Sequence, residues 1–156
     1  MRKKVDAQTQ SDQVAMESMR SVIVDVETPM PPTLNKSYIN TNKGRRLTTH
    51  AKKTKETITK VVALYLLKND VNTSKLKNSK LFLRVDFYFK NVENKGWPKK
   101  AKNRYKKNDI SNRLKLLEDA VSDAVGIDDS NTFEITLTKN QHRQEKCHVQ
   151  LEVEIE

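Results

Sequence analysis

The stretch LFLRVDFYF, Leu81 to Phe89, alternates without a break. Leu81, Leu83, Val85, Phe87 and Phe89 fall on one side, and Phe82, Arg84, Asp86 and Tyr88 on the other. Successive strand residues point to opposite faces, so a period of two with one apolar side predicts a half-buried β-strand. The same period recurs upstream, where Val22, Val24 and Val26 share one face opposite Asp25 and Glu27. Proline cannot donate to a sheet ladder, and Pro29-Met30-Pro31-Pro32 ends that strand. Downstream, Phe133, Ile135 and Leu137 predict the inner face of a third strand, and Val149, Leu151, Val153 and Ile155 that of a fourth. Two helical patterns lie between. Ile58, Val62 and Tyr65 stand at helical spacing behind a cap at Thr48 or Thr49, predicting a helix to about Lys68 whose N-terminal half is crowded by Lys52, Lys53, Lys55 and Lys60. Ile110, Leu114, Leu117, Val121 and Val125 predict a second, over about Ser111 to Val125, closed by Gly126. Residues 33–46 read as a turn-rich basic loop. The expected architecture is α+β, a small mixed four-stranded sheet packed with two main helices.

Bulk properties bound the function. At 156 residues one domain is expected over 21–156, with residues 1–20 a polar arm or short helix outside the core. Thirty Lys and Arg against 20 Asp and Glu leave a net charge of +10, which favours polyanionic partners. No apolar run approaches the ~18 residues that span a bilayer, and the basic N-terminus lacks the apolar stretch of a signal peptide. The expectation is a soluble, intracellular protein with no membrane partner. Cys147 is the single cysteine, which excludes an internal disulfide and a cysteine-built zinc site, and it has no evident acid–base partner. His50, His142 and His148 show no shared ligand spacing; the last two are expected near a β-turn, in surface roles. Three glycines in the whole chain leave no room for a glycine-rich phosphate loop.

The chemistry concentrates in KKNDISNRLK, residues 106–115. On a helix beginning near Ser111, Asn112, Lys115 and Asp119 share a polar face away from the apolar stripe, with Asp109 at the entrance. Gly126-Ile127-Asp128-Asp129 then returns two carboxylates as the chain leaves the helix. A helix of about 15 residues is ~22 Å long, so Asp129 reaches Asp109 only if the next strand runs back alongside. Gathered carboxylates call for a cation, and magnesium suits an all-oxygen site shared with a phosphate. Such a metal would polarise a scissile phosphate and activate a water, with Lys115 neutralising developing charge. On spacing alone Asp109 is equally a helix cap and Asp128-Asp129 a turn.

Asp109-Ile-Ser-Asn-Arg-Leu-Lys115-Leu-Leu-Glu-Asp119-Ala followed by Gly126-Ile-Asp-Asp129-Ser resembles the RusA family of Holliday-junction resolvases, whose signature reads roughly D-(L/I/V)-D-N-x-x-K-x-x-x-D-(A/S), then G-(L/I/V)-x-D-D-x-(Q/N). Pro31-Pro32-Thr33-Leu34-Asn35-Lys36-Ser37-Tyr38 and Gly44-Arg45 are similar to that family's P-P-S-x-N-x-x-(Y/W) element and glycine-arginine loop. The resemblance covers about residues 21–156. It implies a small dimeric, Mg²⁺-dependent nuclease (Mn²⁺ substituting) of bacterial or phage-infected cytoplasm, nicking four-way DNA junctions symmetrically in recombination and repair. By the same resemblance Asp109 and Asp129 are metal-binding carboxylates, Lys115 is the catalytic lysine and Asn112 a DNA or active-site contact. The signature's second aspartate is replaced here by Ser111, a weak magnesium ligand. That departure implies compensation by Asp128 or another carboxylate, a lower metal affinity, or lost turnover.

Residues 90–107 carry eight cations against one acid, Glu93, with Trp97 and Tyr105 interleaved. Lys99, Lys100, Arg104, Lys106 and Lys107 are candidate phosphate contacts, and Arg45 and Arg46, with Lys52 and Lys53, form a second basic cluster. Trp97 and Tyr105 read either as stacking platforms for bases or as core and loop anchors. Two other functions fit the charge: a non-catalytic DNA-binding protein on the same fold, and an RNA- or ribosome-associated module, which leaves the acidic set without a purpose.

Overall fold

The computed structural model describes residues 19–154. The four expected strands are present: β1 (Arg20–Thr28), β4 (Leu81–Phe89), β5 (Thr132–Gln141) and β6 (Lys146–Glu154). They form one mixed sheet in the order β1-β6-β4-β5. β6 is antiparallel to both β1 and β4, while β4 and β5 are parallel. A parallel pair needs a crossover, and helix α3 (Leu114–Val125) supplies it. The long helix α2 (Thr49–Lys68) lies against α3; the Thr48 hydroxyl accepts from the Ala51 N–H at its start, as expected of a threonine cap. Lys55 pairs with Asp123 at 3.1 Å across the two helices.

The core follows the two periods. Ile58, Val62 and Leu66 of α2 and Leu117, Val121 and Val125 of α3 meet the inward faces of β4 (Leu81, Leu83, Val85, Phe87, Phe89) and β6 (Val149, Leu151, Val153). Ile110 and Leu114 pack on its edge. Residues 1–18, most of the expected N-terminal arm, and Ile155 lie outside the described residues. No helix among the described residues is long and apolar enough to cross a membrane.

Four expectations are corrected. Residues 33–46 are not simply a loop: a one-turn helix α1 (Leu34–Ser37) leads into a small hairpin, β2 (Tyr38–Thr41) and β3 (Gly44–Leu47), turning at Gly44 with φ +108°. Val22 does not share a face with Val24. Val22 opposes Glu152 while Val24 opposes Leu151, so two steps in β1 match one in β6. This bulge turns Ile23 and Val24 into the core and leaves Val22 exposed. Phe133 is 66% exposed and Ile135 also faces solvent, because β5 is an edge strand covered on one side only. Phe133 instead meets the Lys80 ammonium, 5.2 Å from its ring centre. His148 lies within β6, not at a turn; its Nε2 meets Asp25 of β1, and Asp86 of β4 stands on its other side. Burial alone would raise the Asp86 carboxyl, but hydrogen bonds from Thr138 and Arg84 outweigh it and hold the carboxyl low.

Candidate active site at the entrance of the second long helix

The site is built where the chain enters and leaves α3. Ile110 begins a single 3₁₀ turn, Ser111–Arg113, that feeds the helix. Asp109 sits just before it, and its Oδ1 accepts from the Ser111 N–H at 3.1 Å and from the Ser111 hydroxyl at 2.6 Å. The Ser111 hydroxyl bond is the main reason the Asp109 carboxyl is held below its ordinary range, with backbone donors and the Lys139 charge adding to it. In the first turn of α3, Lys115 Nζ lies 2.9 Å from Asp119 Oδ1, four residues on. Gly126 ends the helix in the left-handed region at φ +73°, where L side chains are strained, and redirects the chain. Asp128 then caps the short turn Asp129–Asn131 by accepting from the Ser130 N–H at 2.8 Å. That turn brings Asp129 back beside the helix, 3.6 Å from Lys115 Nζ.

The structure thus assembles Lys115, Asp119 and Asp129 at one place. The lysine is shifted up, first by its bond to Asp119 and then by the carboxylate charges around it. Asp109 remains with Ser111, and among the described residues no ion pair or hydrogen bond joins it to Asp129. Asp128 spends its carboxylate on its own turn. Asn112 is exposed beside Asp109. Every donor in the set is a hard oxygen, which suits a hard divalent cation. Yet among the described residues no three His, Cys, Asp or Glu side chains converge as a ready-made metal site.

Two residues that the sequence reading passed over belong here. Glu118 is half-buried on α3, and its carboxyl is pushed up first by that burial and then by the Asp129 charge. Its position three residues after Lys115 was the available signal. Arg113 donates from Nη1 to the Pro31 carbonyl at 2.8 Å, and its guanidinium lies 5.4 Å from the Phe89 ring centre. It ties the proline-rich segment after β1 to the entrance of α3, so the two motifs share one support.

The basic segment 90–107 is an ordered arm. Asn94 N donates to Arg104 O at 2.8 Å, Lys106 N to Val92 O at 2.9 Å, and the Asn94 side chain to Asn103 O at 2.7 Å. Lys99, Lys100, Lys106 and Lys107 are exposed along it. Arg104 is committed within the arm, paired with Glu93 at 3.0 Å. In the hairpin, Arg45 lies over the Tyr38 ring at 4.3 Å and Arg46 is exposed. Trp97 and Tyr105 are outside the core, 43% and 54% exposed, so the anchoring role in the core is excluded.

No curated protein matches the chain. The profile of the family described as Endodeoxyribonuclease RusA matches residues 29–156, from the proline-rich segment through Asp109, Lys115 and Asp129 to the end of the sequence. The chain belongs to the RusA family of endodeoxyribonucleases, enzymes of branched DNA junctions.

Proposed function

We propose that residues 21–156 form a divalent-metal-dependent nuclease that resolves four-way DNA junctions by paired symmetric nicks in recombination and repair. The observation that carries this reading is the seating of Lys115 between Asp119 and Asp129, a cation held by two carboxylates. In it, Asp109 and Asp129 would hold Mg²⁺ (or Mn²⁺), with Asp128 as a further carboxylate ligand. When bound, the metal polarises the scissile phosphate and activates the attacking water. Asp119 orients Lys115, so its ammonium can offset negative charge that develops on the phosphoryl oxygens. Asn112, three residues after Asp109, contacts the same strand in this reading. Lys99, Lys100, Lys106 and Lys107 of the arm supply phosphate contacts, as do Arg45 and Arg46 of the hairpin. Arg104 acts through the arm's architecture more than as a free contact. Two equal nicks require two equal sites, which a C2 homodimer provides. The setting proposed is the cytoplasm of a bacterium or of a phage-infected host.

The second reading, a junction-binding protein without turnover, draws on one observation: the residue at the family's second aspartate is Ser111, and its hydroxyl is spent on Asp109. A labelled four-way junction with Mg²⁺ separates the two. Paired nicks from the wild type, absent in Asp109→Asn, support the nuclease. Tight binding with no nick in Mg²⁺ or Mn²⁺, across junctions of varied sequence, replaces it with the binding protein.

A further inference from the structure

We propose that Trp97, Arg104 and Tyr105 form a stacking ledge for unpaired DNA bases, at the edge of the phosphate-binding arm; the assignment rests on the nuclease reading only for its choice of DNA. Fully buried rings such as Phe87 and Phe89 stabilise the core, but these two rings stand largely in solvent. The Arg104 guanidinium lies 5.1 Å from the Trp97 ring centre and 5.3 Å from that of Tyr105. Glu93 fixes the guanidinium at 3.0 Å, and the Glu93–Tyr105 bridge joins the two sides of the arm. Backbone bonds on either side of Tyr105 keep the arm closed. The planar groups are therefore held before any ligand arrives, so little side-chain freedom is lost when a further flat group is added.

The surroundings define that flat group. Lys95, Lys99, Lys100, Lys102, Lys106 and Lys107 are exposed around the ledge. A ligand that offers both π-faces and closely spaced negative charge is a nucleic acid strand with unstacked bases. A duplex offers the phosphates but hides the base faces. The lysines alone would bind both forms alike, and the ledge adds a preference for opened strands such as those at a branch point.

Trp97 is the sole tryptophan, so its emission reports on the ledge directly. The full-length protein, in a metal chelator so that nothing is cut, is titrated with a single-stranded DNA of about 12 nucleotides and with a duplex of equal phosphate number. The single strand is expected to quench Trp97 strongly and the duplex weakly at matched saturation. By anisotropy of a labelled strand, Trp97→Ala should weaken single-strand binding about tenfold and duplex binding little, with an unchanged salt slope, while Trp97→Phe, still flat, should stay within about threefold of wild type. Equal quenching by duplex, or equal loss of both ligands in Trp97→Ala, overturns the ledge. Tighter, equally Trp97-dependent binding of RNA of the same sequence overturns the choice of DNA. Junction nicking is scored separately: it can fail while single-strand quenching persists, and it can persist while quenching fails.

Discussion

The ammonium of Lys115 stands 3.6 Å from the carboxylate of Asp129, across the helix end and the turn that separate them in sequence. That contact shows the chain doubling back along α3 after Gly126, which brings Asp129 to Lys115 while Asp109 stays with Ser111. The proposed catalytic set depends on this return, and each of its members can be tested alone.

Lys115→Ala should lower the nicking rate by about 10²–10³-fold, the usual loss when a positioned transition-state donor is removed. Asp109→Asn and Asp129→Asn should leave no measurable nicking. Junction affinity, measured in chelator, should change little in all three, since the arm lysines are untouched. Wild-type nicking in all three would show the site to be elsewhere.

Ser111 offers a reciprocal test. Ser111→Ala removes the main donor that holds the Asp109 carboxyl low, so carbon-detected NMR titration should find that carboxyl moved up toward the ordinary aspartate range. Ser111→Asp supplies another hard ligand, and half-maximal nicking should then need less Mg²⁺. An unchanged Mg²⁺ requirement in Ser111→Asp would count against a metal at this end of the helix.

Glu118 carries a raised carboxyl, from burial and from Asp129. For an acid, a folded-state pKa above the unfolded one means that ionisation opposes folding: stability is fully present below the unfolded value and lost as pH rises through the folded one. Glu118→Gln removes that loss. Its Tm at pH 7 should exceed wild type by on the order of 1–2 °C, a small effect because the side chain is only half-buried. The difference should vanish as pH falls below the ordinary glutamate range, about 4.3.

Arg113→Ala breaks the charged bond to Pro31 O and should destabilise by roughly 2 kcal/mol, a Tm fall of about 4–8 °C in a chain of this size. Arg113→Lys should recover only part of it, because the flat guanidinium over Phe89 is not replaced. Thermal unfolding by circular dichroism reads both.

Cys147 is buried in β6, and burial pushes its thiol up to about 12. At pH 8 only on the order of 10⁻⁴ of it is thiolate. A disulfide reagent should label it at the rate of unfolding in the native protein and at once in denaturant.

Much of this protein was legible one residue at a time. The alternation of Leu81 to Phe89, the Thr48 cap and the Gly126 stop each state a local backbone preference, and the structure has each where the pattern put it. The order of Asp109, Lys115 and Asp129 was equally plain, because motif spacing is a property of the chain. Periodicity cannot report what covers a face. Val22 obeys the same alternation as Val24, yet a bulge set by the register with β6 turns it out to solvent. Phe133 lies on an apolar alternation too, but the sheet order makes β5 an edge. In the same way Lys115 meets Asp129 because the chain doubles back along α3 after Gly126, and Arg104 is tied within the arm by Glu93 and two rings. Local sequence determined the elements and their chemistry. Only the tertiary structure decided which side chains are buried and which charges meet, because both depend on neighbours brought together from distant parts of the chain.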